Sequence, residues 1–106
     1  LNHKGDIKIW KDAKLGSWCF IFNGVNIGLW KDGSPTLGDR VWVGPGAKIF
    51  GKIFVPDDTF VGANAVVCKS IEKVGSVVAG IPAKELHTNP PDFLKIRELE
   101  YKGLSR

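Results

Sequence analysis

The stretch Leu37-Gly38-Asp39-Arg40-Val41-Trp42-Val43-Gly44-Pro45-Gly46-Ala47-Lys48-Ile49 decides how the rest of the chain is read. Its aliphatic residues Leu37, Val43 and Ile49 recur every six positions, and the step continues through Val55, Val61 and Val67. Working backward, the same step joins Ile27, Ile21, Leu15 and Ile9, once four extra residues are allowed within 29–36. Two positions before each aliphatic stands a mostly small or β-branched residue: Ala13, Cys19, Val25, Val41, Ala47, Ile53, Thr59 or Ala65. Glycine follows the aliphatic at Gly16, Gly28, Gly38, Gly44 and Gly62.

Neither a helical period of about 3.6 nor simple alternation produces a strict six. A short strand followed by a turn, repeated, does. The aliphatic and the residue two before it then face inward, and glycine permits either a positive φ or a close approach at the turn. Stacked turns form parallel strands about 4.8 Å apart, each coil burying its apolar side against its neighbours. An antiparallel sandwich is the competing reading, and ten units in phase argue against it.

The chain has 106 residues, 43% hydrophobic and 25% charged, which fits a single folded domain rather than a disordered segment. No apolar run approaches the roughly 20 residues that span a bilayer, and no leader pattern is visible. No membrane association is expected. Cys19 and Cys68 make neither a disulfide framework nor a metal ligand set, so no metal is expected and a cytoplasmic setting is. The net charge of +4 allows a polyanionic partner. The basic residues are interleaved with acidic ones and lie in no nucleic-acid motif, so no nucleic-acid partner is expected.

Three ordered motifs carry a resemblance. Val41-Trp42-Val43-Gly44-Pro45-Gly46-Ala47-Lys48-Ile49, Val61-Gly62-Ala63-Asn64-Ala65-Val66-Val67-Cys68-Lys69 and Val77-Val78-Ala79-Gly80-Ile81-Pro82-Ala83-Lys84 are similar to motifs of hexapeptide-repeat acyltransferases. The N-terminal part, Leu1-Asn2-His3-Lys4-Gly5 through Ile27-Gly28, resembles serine acetyltransferases in particular. The resemblance implies an all-β, left-handed parallel β-helix with three hexapeptides to a coil, hence about three coils here. The general rule for parallel crossovers would give the opposite hand. It also implies a homotrimer, acetyl-CoA as acyl donor and a small-molecule acceptor.

Beyond the repeats the chain changes character. Asn89-Pro90-Pro91-Asp92 is a helix-start signal, and Phe93, Ile96 and Leu99 follow at helical spacing up to Gly103. The expected organisation is a β-helix domain over 1–87, with a loop insertion at 29–36, and a tail over 88–106 holding a short C-terminal α-helix.

By the resemblance, His3 is the general base that takes a proton from the acceptor. Imidazole suits that work because it titrates near neutral pH. Asn2 stands where that family has an aspartate, and the aspartate that orients the base falls before Leu1. Asn2, Asn23 and Ser34 are the acceptor-side candidates. Gly33-Ser34 replaces an Arg-His pair before the proline, which disfavours serine itself as acceptor. Pro45, Gly46, Ala63, Cys68, Lys69 and Lys84 are the cofactor-side candidates, with His87 a further group for a cofactor phosphate. Trp30 and Lys31 are placed to cap an acceptor, and Trp10, Trp18 and Trp42 are expected to point outward toward neighbouring subunits. The functional expectation is a CoA-dependent acetyltransferase acting on a hydroxyl or amine. The alternative is a non-catalytic trimeric scaffold or binding module without a complete acceptor site.

Overall fold

A computed structural model describes residues 6–88. The first coil is β1 (Lys8–Ile9), β2 (Lys14–Leu15) and β3 (Phe20–Ile21), and the second is β4 (Asn26–Gly28), β5 (Thr36–Leu37) and β6 (Trp42–Val43). The third is β7 (Lys48–Phe50), β8 (Phe54–Val55) and β9 (Phe60–Val61). A fourth follows with β10 (Val66–Val67) and β11 (Ser76–Ala79), and β12 (Lys84–Thr88) ends the described chain. The strands stack into three faces of a prism: face A with order β1-β4-β7-β10, face B with β2-β5-β8, and face C with β3-β6-β9-β11-β12. All neighbours are parallel except β11 and β12.

The register explains the core. Ile9, Ile27, Ile49 and Val67 lie one above another on face A. Leu15, Leu37 and Val55 do so on face B, and Ile21, Val43, Val61 and Val78 on face C. These columns meet at the prism axis with the residues two positions earlier, of which Val25, Val41, Ala47, Thr59 and Ala65 are fully buried. Thr59 is the one polar member, and its hydroxyl donates to the Pro56 carbonyl at 2.7 Å, so its burial leaves no donor unsatisfied. The insertion at 29–36 is absorbed at one corner, where Trp30 and Gly33 pair across a tight turn at Lys31-Asp32. Stacked partners are therefore 22 residues apart across the insertion and 18 below it, as in the Ser17–Asp39 and Asp39–Asp57 contacts.

About four coils are present rather than the three expected. The fourth escapes the six-residue count because its inward residues are Val67, Ile71 and Val78, whose spacings are irregular. Ile71 nonetheless donates its N–H to the Phe54 carbonyl at 3.0 Å, and Val78 pairs with Val61. Among the described residues there is no helix, and the helix expected in the tail lies outside them.

Four of the five repeat glycines, Gly16, Gly38, Gly44 and Gly62, owe their place to close approach between coils. A Cβ on Gly44 would come within 2.8 Å of the Ala63 nitrogen and 3.0 Å of the Val61 carbonyl oxygen, backbone atoms of the next coil. The positive φ falls two residues later. Trp18, Arg40 and Asp58 hold it at the corner between faces B and C, and Gly24, Gly46 and Asn64 at the corner between faces C and A. At the first of these corners Arg40 and Asp58 join by two hydrogen bonds of 2.8 and 3.1 Å. Asp39 and Asp57 each accept a backbone N–H from the coil before, at 2.8 and 2.7 Å.

Candidate functional site

The sequence-predicted residues fall into separate groups. Asn23, Pro45, Gly46 and Ala63 share the corner between faces C and A. The Gly46 N–H donates to the Asn23 carbonyl at 3.0 Å, and the Asn64 N–H to the Pro45 carbonyl at 2.9 Å. At Gly46, φ is +74° and an added Cβ would strike the Asn64 amide oxygen, so turn geometry and packing both select glycine there. Pro45 and Ala63 are exposed along this corner, which presents a narrow strip of small residues to solvent.

Cys68, Lys69 and Lys84 come together elsewhere. With Pro82 and Ala83 they line a cavity of about 160 Å³ at the end of face A. The segment after β11 makes this possible: Gly80 accepts from the Val66 N–H at 3.0 Å, and Ala83 donates to the Val66 carbonyl at 2.8 Å. The chain thus folds across the last strand of face A and returns as β12 beside β11. Both lysines are exposed beside this cavity, a combination suited to an anionic group next to an apolar arm.

A second cavity of about 280 Å³ lies at the same end of the prism, between the segment Lys69–Lys73, the inward Val67 and Val78, and Ser76, Ala83 and Glu85. The Thr88 hydroxyl donates to the Glu85 carboxylate at 2.6 Å. This bond, more than any other contact, holds that carboxyl below its ordinary range, with Lys73 adding to the effect. His87 is exposed on β12 opposite Val77 and lines none of these cavities.

A third pocket, of about 210 Å³, escaped the reading of the sequence. Asn26, Gly28, Leu29, Trp30, Lys48 and Phe50 line it, on the outer side of face A below the inserted loop. Trp30 and Leu29 are more than half exposed, while Ser34 is half-buried at the base of the loop and lines no part of it. Outward-facing positions of β4 and β7 bring Asn26 and Lys48 into register, a pairing visible only once the 22-residue offset of the insertion is known. Asn2 and His3 lie outside the described residues. Among the described residues, no group of three or more His, Cys, Asp or Glu is placed to hold a metal, and no helix is long and apolar enough to cross a membrane.

The outward tryptophans behave differently from one another. Trp18 is 57% exposed, whereas Trp42 stacks on Phe60 with centroids 5.2 Å apart and planes 4° from parallel, with Phe20 on its other side at 4.8 Å. Face C thus carries an aromatic ladder. The two cysteines also differ. Cys68 is exposed, whereas Cys19 is partly enclosed, and burial raises its thiol pKa. A thiol reagent at pH 8 should therefore modify Cys68 promptly and Cys19 only slowly in the folded protein. Peptide mapping after timed labelling checks this, and equal labelling of both would show the corner at Cys19 to be open.

No protein-family model matches the chain. The chain is 35% identical over 95 residues to serine acetyltransferase from Mycobacterium tuberculosis, a match covering 86% of this chain and 41% of that protein. It is 38% identical over 90 residues to serine acetyltransferase from Helicobacter pylori, covering 81% and 52% respectively. Among solved structures, serine acetyltransferase from Brucella abortus in complex with coenzyme A superposes with a TM-score of 0.64 at 27% identity, covering 74% of this chain and 40% of that one. The chain spans about half the length, or less, of the relatives it matches.

Proposed function

Starting from the hexapeptide-repeat acyltransferase family, to which this chain belongs, we propose that it is a CoA-dependent acetyltransferase of the serine acetyltransferase type. The observation that carries the reading is the cavity at the end of face A. There, Lys69 and Lys84, distant in sequence, flank Cys68, Pro82 and Ala83. Two ammonium groups beside a small apolar wall suit the phosphates and pantetheine arm of acetyl-CoA. The small residues Pro45, Gly46 and Ala63, of which Pro45 and Ala63 are exposed, extend the track on the other edge of face A, and His87 is a further group for a phosphate.

In this reading, His3 takes the proton from the acceptor hydroxyl or amine as that atom attacks the thioester carbonyl carbon. Collapse of the tetrahedral intermediate breaks the carbon–sulfur bond, and His3 returns the proton to the leaving thiolate. Asn2, Asn23 and Ser34 orient the acceptor, and backbone N–H groups of the turns hold the oxyanion. The coil is left-handed and the protein a cytoplasmic homotrimer with its sites between adjacent subunits. The aromatic ladder Phe20–Trp42–Phe60 and the exposed Trp18 on the neighbouring corner support assembly through face C. The two free cysteines suit a reducing compartment.

The test combines calorimetry with CoA and release of free thiol from acetyl-CoA over a panel of amino acids, sugars and aminoglycosides. CoA should bind, and at least one acceptor should accelerate thiol release. Replacing Lys69 and Lys84 together by glutamine should weaken CoA binding about tenfold or more, the scale of one to two charge-assisted contacts. Absence of CoA binding by the wild-type chain would overturn the assignment.

A further inference from the structure

The pocket below the inserted loop has a chemistry of its own. Trp30 and Phe50 form its apolar walls, with ring centroids 5.7 Å apart and planes inclined at 49°. Gly28, outward on β4, leaves its floor open: an added Cβ would stand 3.4 Å from the Asn26 amide oxygen, in the space the pocket occupies. Asn26 offers both an acceptor and donors at one side. The Lys48 ammonium donates one hydrogen bond, to the Gly46 carbonyl at 2.6 Å, which leaves further N–H groups for a ligand. Lys31 places a second ammonium 5.9 Å from the Trp30 ring.

The surroundings repeat this character. Lysines scattered through the sequence fall on one edge once the coils stack. Lys11, Lys31, Lys52 and Lys69 occupy the corner between faces A and B in successive coils, with Lys48 and Lys14 on the flanking strands. All are exposed. Asp12 and Asp32 are the acidic residues of the same corner turns, and Asp32 is engaged by the Lys52 backbone N–H at 3.2 Å. The aspartates Asp39, Asp57 and Asp58 lie at the opposite corner, between faces B and C. Arg40 and Lys73 stand with those aspartates, whereas the lysines outnumber the acidic residues at the corner between faces A and B, and the aromatic pocket opens beside that edge.

We propose that the Asn26–Trp30–Lys48–Phe50 pocket binds a pyranose carrying a carboxylate, as a unit of an acidic oligosaccharide whose neighbouring units run along the lysine edge. The apolar C–H face of the sugar rests on the Trp30 indole, the ring hydroxyls pair with the Asn26 amide, and the carboxylate meets Lys48. Trp30 and Phe50 lie against each other, so the pocket offers one open ring surface and no slot that would clamp a planar base between two faces. A sugar needs one such surface together with the hydrogen-bonding amide of Asn26. Neither Asn23 nor Ser34 lines this pocket, so the site is distinct from the proposed acceptor residues and its binding does not rest on the acetyltransferase reading.

Isothermal titration of the full chain without acetyl-CoA tests the assignment, with tri-galacturonate and the neutral maltotriose as probes. Tri-galacturonate should bind at least about tenfold more tightly than maltotriose, the scale of one charge-assisted contact. Lys48→Gln should narrow that difference. Trp30→Ala, which removes the stacking surface, and Gly28→Leu, which fills the floor, should each weaken tri-galacturonate binding about tenfold or more. Trp18→Ala, at a different corner, should leave it unchanged, and unchanged urea midpoints for the variants establish that they fold. No binding by the wild type, equal affinity in both pocket variants, or tighter binding of an oligothymidylate than of tri-galacturonate would overturn the proposal. Tri-galacturonate binding without CoA binding would keep this site and remove the acetyltransferase reading. Turnover without sugar binding would do the reverse.

Discussion

Ile49→Ala is expected to lower the free energy of unfolding by about 2–5 kcal/mol, a large part of the 5–15 kcal/mol available to a domain of this size. Ile49 is fully buried in the third coil, stacked between Ile27 and Val67 on face A. Truncation removes its contacts and leaves a cavity in an interior with little freedom to collapse, because each strand is fixed by hydrogen bonds to the coils on both sides. In a solenoid the interface between adjacent coils is the unit of stability, so a defect there also weakens the coupling of the fourth coil to the first two. Ile9→Ala should cost clearly less, since Ile9 is only half-buried in the first described coil. Urea denaturation followed by far-ultraviolet circular dichroism measures both. Equal losses at the two positions would mean that the coils do not depend on one another as argued.

On the proposed function, in which His3 is the base, His3→Ala is expected to slow acetyl transfer by about two to four orders of magnitude, the usual contribution of a general base, with CoA affinity unchanged. The separation of effects matters more than their size. A proton acceptor acts on the chemical step, so kcat should fall while calorimetric CoA binding is retained. Because an imidazole must be neutral to accept a proton, wild-type kcat/KM should rise as the pH is raised from the acid side. The alanine variant should lose that rise together with its rate. A variant that retains wild-type turnover would assign the base to another group.

The fold was largely legible because the feature that builds it is periodic. The step of six from Ile9 to Val67 names the inward columns, and the residue two before each aliphatic is inward as well. Legibility stops where periodicity does. Ile71 and Val78 complete a fourth coil at irregular spacing, held there by backbone bonds to Phe54 and Gly62 rather than by pattern. The role of the repeat glycines was readable only as two alternatives, and atomic distances at Gly44 decide for close approach.

Of the candidate site, Cys68, Lys69 and Lys84 meet at one cavity because the return after Gly80 lays Pro82 and Ala83 over β10. The pocket of Asn26, Trp30, Lys48 and Phe50 was hidden for the opposite reason. It joins residues 22 positions apart across the insertion, and outward side chains leave no hydrophobic pattern to follow. The lysine edge was hidden in the same way, since interleaving along the chain and segregation in space are compatible in any coil.

The reversal of β12 has a consequence for life in a crowded solution. A parallel stack can in principle lengthen without limit, because the last rung of one molecule offers open amides and carbonyls to the first rung of the next. Here β12 runs antiparallel along β11, so another molecule meets on face C a rung of the wrong direction. Every residue of that rung is exposed, and Lys84 and Glu85 put charge on it where an incoming strand would need an apolar or neutral match. On face C the last described rung therefore offers an incoming parallel strand no matching partner.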